Sequence, residues 1–174
     1  MKKNIKRFSH LLLLALCFNC LNASPPATTT GKETVETLLL KQIDDERLAY
    51  QLYTKLSEIH PDITLYKDII ATKKHHFSTL EDYARETYPN LETGRLKGPF
   101  LNHENRRLYQ RSLTRGKASK KNAANVGVDL QEANIENIEH LLSLEPEPKL
   151  ASILEDLKKD SQKHLSAFRR QKTR

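Results

Sequence analysis

Beyond residue 20 the sequence has no cysteine. Cys17 and Cys20 both fall in an N-terminal stretch that reads as a removable export signal. The mature chain is therefore expected to hold no disulfide and no thiolate ligand, even in an oxidising compartment. The chain also lacks a run fit to cross a bilayer. LLLLALCFNCL is apolar but too short to span comfortably, and no later segment approaches spanning length. Strand alternation and internal repeats are missing as well, which points to an all-α protein. A large excess of one charge is absent once the N-terminus is set aside. Lys2, Lys3, Lys6 and Arg7 are four of the 29 basic residues and none of the 22 acids go with them, so +7 becomes +3. The high isoelectric point is mostly a property of the leader, and no nucleic-acid module is visible, so no nucleic acid is expected as a partner.

What is present begins with that leader. MKKNIKRF is basic, the apolar run follows, and NASPPATTTG is a small, polar exit. This is the layout of a secretory signal peptide over residues 1–23. Cleavage is expected near Ala23, although Leu21 is large for the position two before it. A lipid anchor on Cys17 or Cys20 is the minority alternative, since Leu16 and Asn19 suit it poorly. The mature protein is expected to be exported, periplasmic or secreted. Residues 24–32 read as a flexible leader.

The remainder reads as helices with local punctuation. One helix is expected from about Glu33 to Ile59, broken by HPD. A second is expected from about Thr64 to Tyr88, stopped by Pro89. After a loop, NHENRRLYQRSLTRG gives a short helix with Asn102 as cap and Gly116 as stop. Ser119 caps a helix to about Leu144, and Pro148 opens the last one, to about Arg170. Residues 33–170 are thus expected to form an antiparallel four-helix bundle with an extra short helix in the middle connection, and 171–174 a basic tail.

Each main helix carries an apolar seam at steps of four and three, and each seam is interrupted. In the first, Leu39, Ile43, Tyr50 and Tyr53 flank Glu46. In the second, Ile69, Leu80 and Tyr83 flank Lys73 and His76. In the third, Val128, Ile135, Ile138 and Leu142 flank Gln131, with Glu132 beside it. In the last, Leu154, Leu157 and Phe168 flank Ser161 and His164. In chain order this has the skeleton of a ferritin-like metal site: a lone glutamate from each of two helices and Glu-x-x-His from the other two. Carboxylates neutralise cations, and imidazole is a ligand that iron, manganese and zinc accept. A hydrogen-bonded core histidine is the plainer meaning of each such position, and Tyr50 and Tyr53 are expected as core aromatics.

DDERLAYQLY at 44–53, ATKKHHF at 71–77, VGVDLQEANIENIEHLL at 126–142 and DSQKHLSAF at 160–168 together resemble a ferritin-like bacterial family, domain of unknown function 2202. The resemblance covers Leu38 to Phe168. The family's first segment places its motif glutamate on Glu46. Its Glu-x-x-His falls on Lys73 and His76, and its Glu-Glu pair on Gln131 and Glu132. Its Ser-x-x-His-Leu-x-Ala-Phe falls on Ser161, His164, Leu165, Ala167 and Phe168. The resemblance implies the helical bundle and says little about activity. The departures matter here: Lys73 and Gln131 stand where the family has glutamates.

Two answers follow for Lys73. It pairs with Glu46 across the bundle and takes the space of a cation, making a structural polar network of Lys73, Gln131 and Ser161. Or it reaches solvent and leaves Glu46, His76 and His164, with Glu132 beside them, to hold one iron, manganese or zinc ion. The leading functional expectation is a non-enzymatic envelope protein with a degraded di-metal site. The alternatives are a mononuclear metal protein or weak oxidase, and a binder of polyanions or anionic lipid. Arg106, Arg107, Arg111 and Arg115 head a basic surface that suits an anionic envelope surface, although a solvated face is the plainer meaning. The other partner the chain allows is a second copy of itself, in a homo-oligomer.

Overall fold

The computed structural model describes residues 33–91, 100 and 103–172. The export signal and leader expected at 1–32, and Asn102, lie outside them. Among the described residues there are five helices and no strand: α1 Val35–Ile59, α2 Leu65–Thr87, α3 His103–Gly116, α4 Lys120–Ser143 and α5 Pro148–Lys172. No described helix is long and apolar enough to cross a membrane. α5 runs to Lys172, into the stretch expected as a tail.

Local chemistry explains the starts and stops. Thr34 and Thr37 form a reciprocal capping box at α1, each side-chain oxygen accepting the other's backbone N–H. The Ser119 hydroxyl accepts the Asn122 N–H to start α4. Pro148 occupies the first position of α5, where its missing N–H costs nothing. At the turn after α1, the buried His60 ring bonds the Gly116 carbonyl at 2.9 Å. That ties the end of α1 to the end of α3.

α1, α2, α5 and α4 close a ring in which each packs on the next, and α3 lies against α1 and α4. Cross-helix pairs fix the directions. Tyr53 meets Tyr66 while Glu46 meets Lys73, so α1 and α2 are antiparallel. Tyr66 meets Phe168 while Glu86 meets Lys149, so α2 and α5 are antiparallel. Glu132 meets Arg169 while Asn134 meets Ser161, and Tyr53 meets Gln131 while Asp45 meets Asn137. All four neighbouring pairs therefore run opposite ways. α2 and α4, across the diagonal, run the same way, so the chain between them must travel the bundle's length.

The core falls into two apolar clusters. One gathers Leu52, Tyr53, Leu56, Tyr66, Ile69, Val126 and Phe168, among others. The other gathers Leu39, Ile43, Leu80, Tyr83, Ile138, Leu141, Leu154 and Leu157. Between them lies a layer of buried polar side chains.

Gly127 sets the approach of α4 to α5. A Cβ there would sit 2.5–2.6 Å from the Phe168 ring. Phe168 is fully buried against Tyr53 and Tyr66 and has no room to withdraw. Gly127→Ala would gain about 1 kcal/mol of helix propensity but would overpack this contact at a cost of about 1–3 kcal/mol. The expected result is a lower midpoint of denaturant unfolding. A midpoint equal to or above the wild type would show that the ring moves aside freely.

Candidate functional site

The buried layer is built around Glu46, which is fully inaccessible at the middle of α1. Lys73 and His76 lie three residues apart on one face of α2 and both reach it. Lys73 Nζ donates to Glu46 Oε1 at 3.0 Å, and His76 Nδ1 lies 3.2 Å from Oε2. Asn134 of α4 donates to Glu46 Oε1 at 2.9 Å and to Ser161 Oγ of α5 at 2.8 Å. Gln42, one turn before Glu46, donates to Asn134 Oδ1 at 2.8 Å. Lys73 Nζ also lies 3.5 Å from Ser161 Oγ. On its other side the His76 ring meets Asp160 Oδ2 at 3.4 Å. Every helix of the ring thus contributes a polar side chain to one network.

Electrostatics follow from this geometry. Burial alone would raise the Glu46 carboxyl, but the Lys73 charge and the His76 contact outweigh it and hold it down to about 2. Glu46 is therefore a carboxylate in the core, neutralised by an ammonium rather than by a proton. Partial burial and the nearby Lys73 and His76 hold the His164 ring down to about 4, against the weaker opposing pull of Asp160 and Glu46. His164 is neutral at physiological pH, and its buried Nδ1 has no partner.

The residues expected from the sequence separate. Glu46, Lys73, His76 and Ser161 meet. Lys73 is fully buried and does not reach solvent. Gln131 is also buried, but its amide donates to the Tyr53 hydroxyl at 2.9 Å, away from Glu46. Burial drives that phenol's ionisation far above the usual range. Glu132 is on the surface, 2.8 Å from Arg169. Tyr50 is half-buried and meets Phe77 edge to face. Arg106, Arg107 and Arg111 are exposed on α3, and Arg115 pairs with Asp129. Gln42, Asn134 and Asp160 belong to the network and were not singled out from the sequence.

As a donor set the layer suits a cation poorly. An ammonium already occupies the centre. Both Glu46 oxygens accept hydrogen bonds, and both His76 nitrogens face carboxylates. Among the described residues no three His, Cys, Asp or Glu side chains converge as ligands of one ion would.

The family model "Uncharacterized protein domain (DUF2202)" matches residues 35–173. The chain belongs to this family. The match takes in all five helices, so the network lies wholly within the family domain. The chain is similar to uncharacterized protein MJ0754 of Methanocaldococcus jannaschii, with 25% identity over 148 residues, 84% of this chain and 78% of that protein. The crystal structure of hypothetical protein MJ0754 superposes with a TM-score of 0.72 at 23% identity, covering 79% of each chain. At that identity the likeness speaks for the fold alone.

Proposed function

We propose that this chain is an exported, non-enzymatic protein of ferritin-like topology in which the Lys73 ammonium takes the place of a metal centre. The observation that carries the reading is the 3.0 Å contact from Lys73 Nζ to Glu46 in a fully buried layer shared by four helices. The topology supports the same ancestry. Four mutually antiparallel neighbours with one long connection between diagonal helices is the ferritin-like arrangement. In a site of that descent, an ammonium supplies the positive charge that Glu46 needs and blocks the approach of a cation. The network then serves to hold the four helices in register. In an envelope compartment, such a domain is a scaffold rather than a catalyst.

The test is the metal content of protein purified without chelator or histidine tag from the envelope fraction of producing cells. The expected result is far less than one equivalent of iron, manganese or zinc, and an intact mass that begins near Ser24. Lys73→Glu should convert the layer into a cation site, with metal-dependent stabilisation that the wild type does not show. A wild-type chain that carries one ion, lost on substituting Glu46, His76 or His164, would defeat the reading. A retained N-terminus would defeat its exported part.

A further inference from the structure

A cleft of about 590 Å³ opens between α1, α3 and α4, with Lys73 of α2 also in its lining. It falls within the size range of small-molecule sites. Its walls include Leu48, Leu108 and Leu130, one from each of the three helices. Arg107 and Arg111 lie one turn apart on α3 and both line it. They are exposed, and neither makes an ion pair with any described residue. Lys41 and Asp45 also line the cleft but neutralise each other at 2.8 Å. Glu104 is the remaining acid, so the lining keeps an excess of positive charge.

The inner wall carries a different signal. Gln131 lines the cleft, is fully buried, and uses its amide nitrogen on Tyr53, while its Oε1 has no partner. A buried acceptor without a donor is costly. Turning the amide over would let the Tyr53 hydroxyl donate to the oxygen and leave the nitrogen as the orphan instead. One amide atom is left over either way. A hydroxyl satisfies both cases, because it donates and accepts.

We propose that this cleft binds a small organic acid with a hydroxyl at the far end of an apolar body: the carboxylate on Arg107 and Arg111, the hydroxyl on Gln131. Two neighbouring guanidinium groups suit a carboxylate, and the three leucines cover the middle. The cleft touches the network at Lys73 and Asn134, which share its lining, while the proposed ligand contacts use none of Glu46, His76 or His164. The binding test reads Arg107, Arg111 and Gln131 and is separate from the metal content of the layer.

The probes are para-hydroxybenzoate, para-hydroxyphenylacetate and para-hydroxyphenylpropanoate, which differ in length. Each is compared with its analogue lacking the hydroxyl, and tyramine serves as the cationic control. Calorimetry on the mature chain is expected to show binding of at least one hydroxy acid. The dehydroxy analogue should bind about tenfold more weakly, and tyramine not at all. Arg107→Ala with Arg111→Ala, two exposed positions, should weaken the acid by about tenfold or more. Gln131→Leu should abolish the preference for the hydroxyl while keeping the dehydroxy acid's affinity. Circular dichroism of the variants checks that they fold, and for wild-type protein the side-chain amide resonance of Gln131 should shift on titration. The proposal is overturned if none of the three acids binds at roughly millimolar concentration. It is equally overturned if affinity ignores the arginine pair, or if the hydroxyl preference survives Gln131→Leu.

Discussion

Replacing Lys73 with methionine is expected to lower stability by about 3–5 kcal/mol and the thermal midpoint by roughly 10–20 °C. The change removes the ammonium that neutralises Glu46 and leaves a fully buried carboxylate with only His76 and amides for company. Glu46→Leu is expected to do similar harm by stranding the ammonium. Combining the two should recover much of the loss, because no charge is then left uncompensated. Recovery should stop short of the wild type. Asn134 loses one of its two acceptors and His76 one of its two carboxylates in the double variant. The coupling free energy from thermal or urea unfolding of the four proteins is the measurement. Simple additivity would mean that the two side chains do not depend on each other, and the network would lose its central pair.

The helices were legible because their boundaries are local. Ser119, Pro148 and the HPD break act within a turn of where they stand, and the helices begin and end within about two residues of the expected positions. Half of the network was legible for a similar reason. Glu46, Lys73, His76 and Ser161 interrupt seams that are otherwise apolar, and the contrast marks them. α4 was harder to place. Val128, Ile135 and Leu142 offer one seam, but the deeply buried line runs through Gly127, Gln131, Asn134, Ile138 and Leu141. The helix is apolar over a wide arc, so two seams fit, and aliphatic side chains point to the flank. Gly127 hides the true line because it has no side chain to count. Asn134 was passed over on the same ground, since asparagine in a helix usually faces water. Glu132 was drawn in by its neighbour Gln131, but adjacent residues on a helix point about 100° apart, and it faces Arg169. Gln42 falls three after Leu39 and four before Glu46, and Asp160 three after Leu157 and four before His164, but Ile43 and Ser161 fit the same steps and stand in front of them. The place of Gln42 and Asp160 in the network depends on which helices become neighbours, and that is set by the tertiary arrangement.

Acidification is expected to weaken the protein in two successive windows. The His164 ring is held down to about 4 in the fold against an ordinary value of 6.5. Between those values the unfolded chain takes up a proton that the folded chain refuses. Stability is therefore full above pH 6.5 and falls as pH drops towards 4, by about 2–3 kcal/mol. Glu46 acts next. It is held down to about 2 against an ordinary 4.5. Its contribution is present above pH 4.5 and is lost as pH falls through 2, by a further amount on the order of 3 kcal/mol. Urea unfolding at a series of pH values measures both slopes. His164→Leu should remove the first while leaving the second, and should make the variant more stable than wild type near pH 4.5, where the unfolded wild type gains its proton. Glu46→Gln should instead flatten the limb below pH 4.5. Nuclear magnetic resonance gives an independent check, because the His164 ring should stay neutral until the pH approaches 4. A ring that titrates near 6.5, or a slope above pH 4.5 that survives His164→Leu, would mean that burial and the Lys73 charge do not control this histidine.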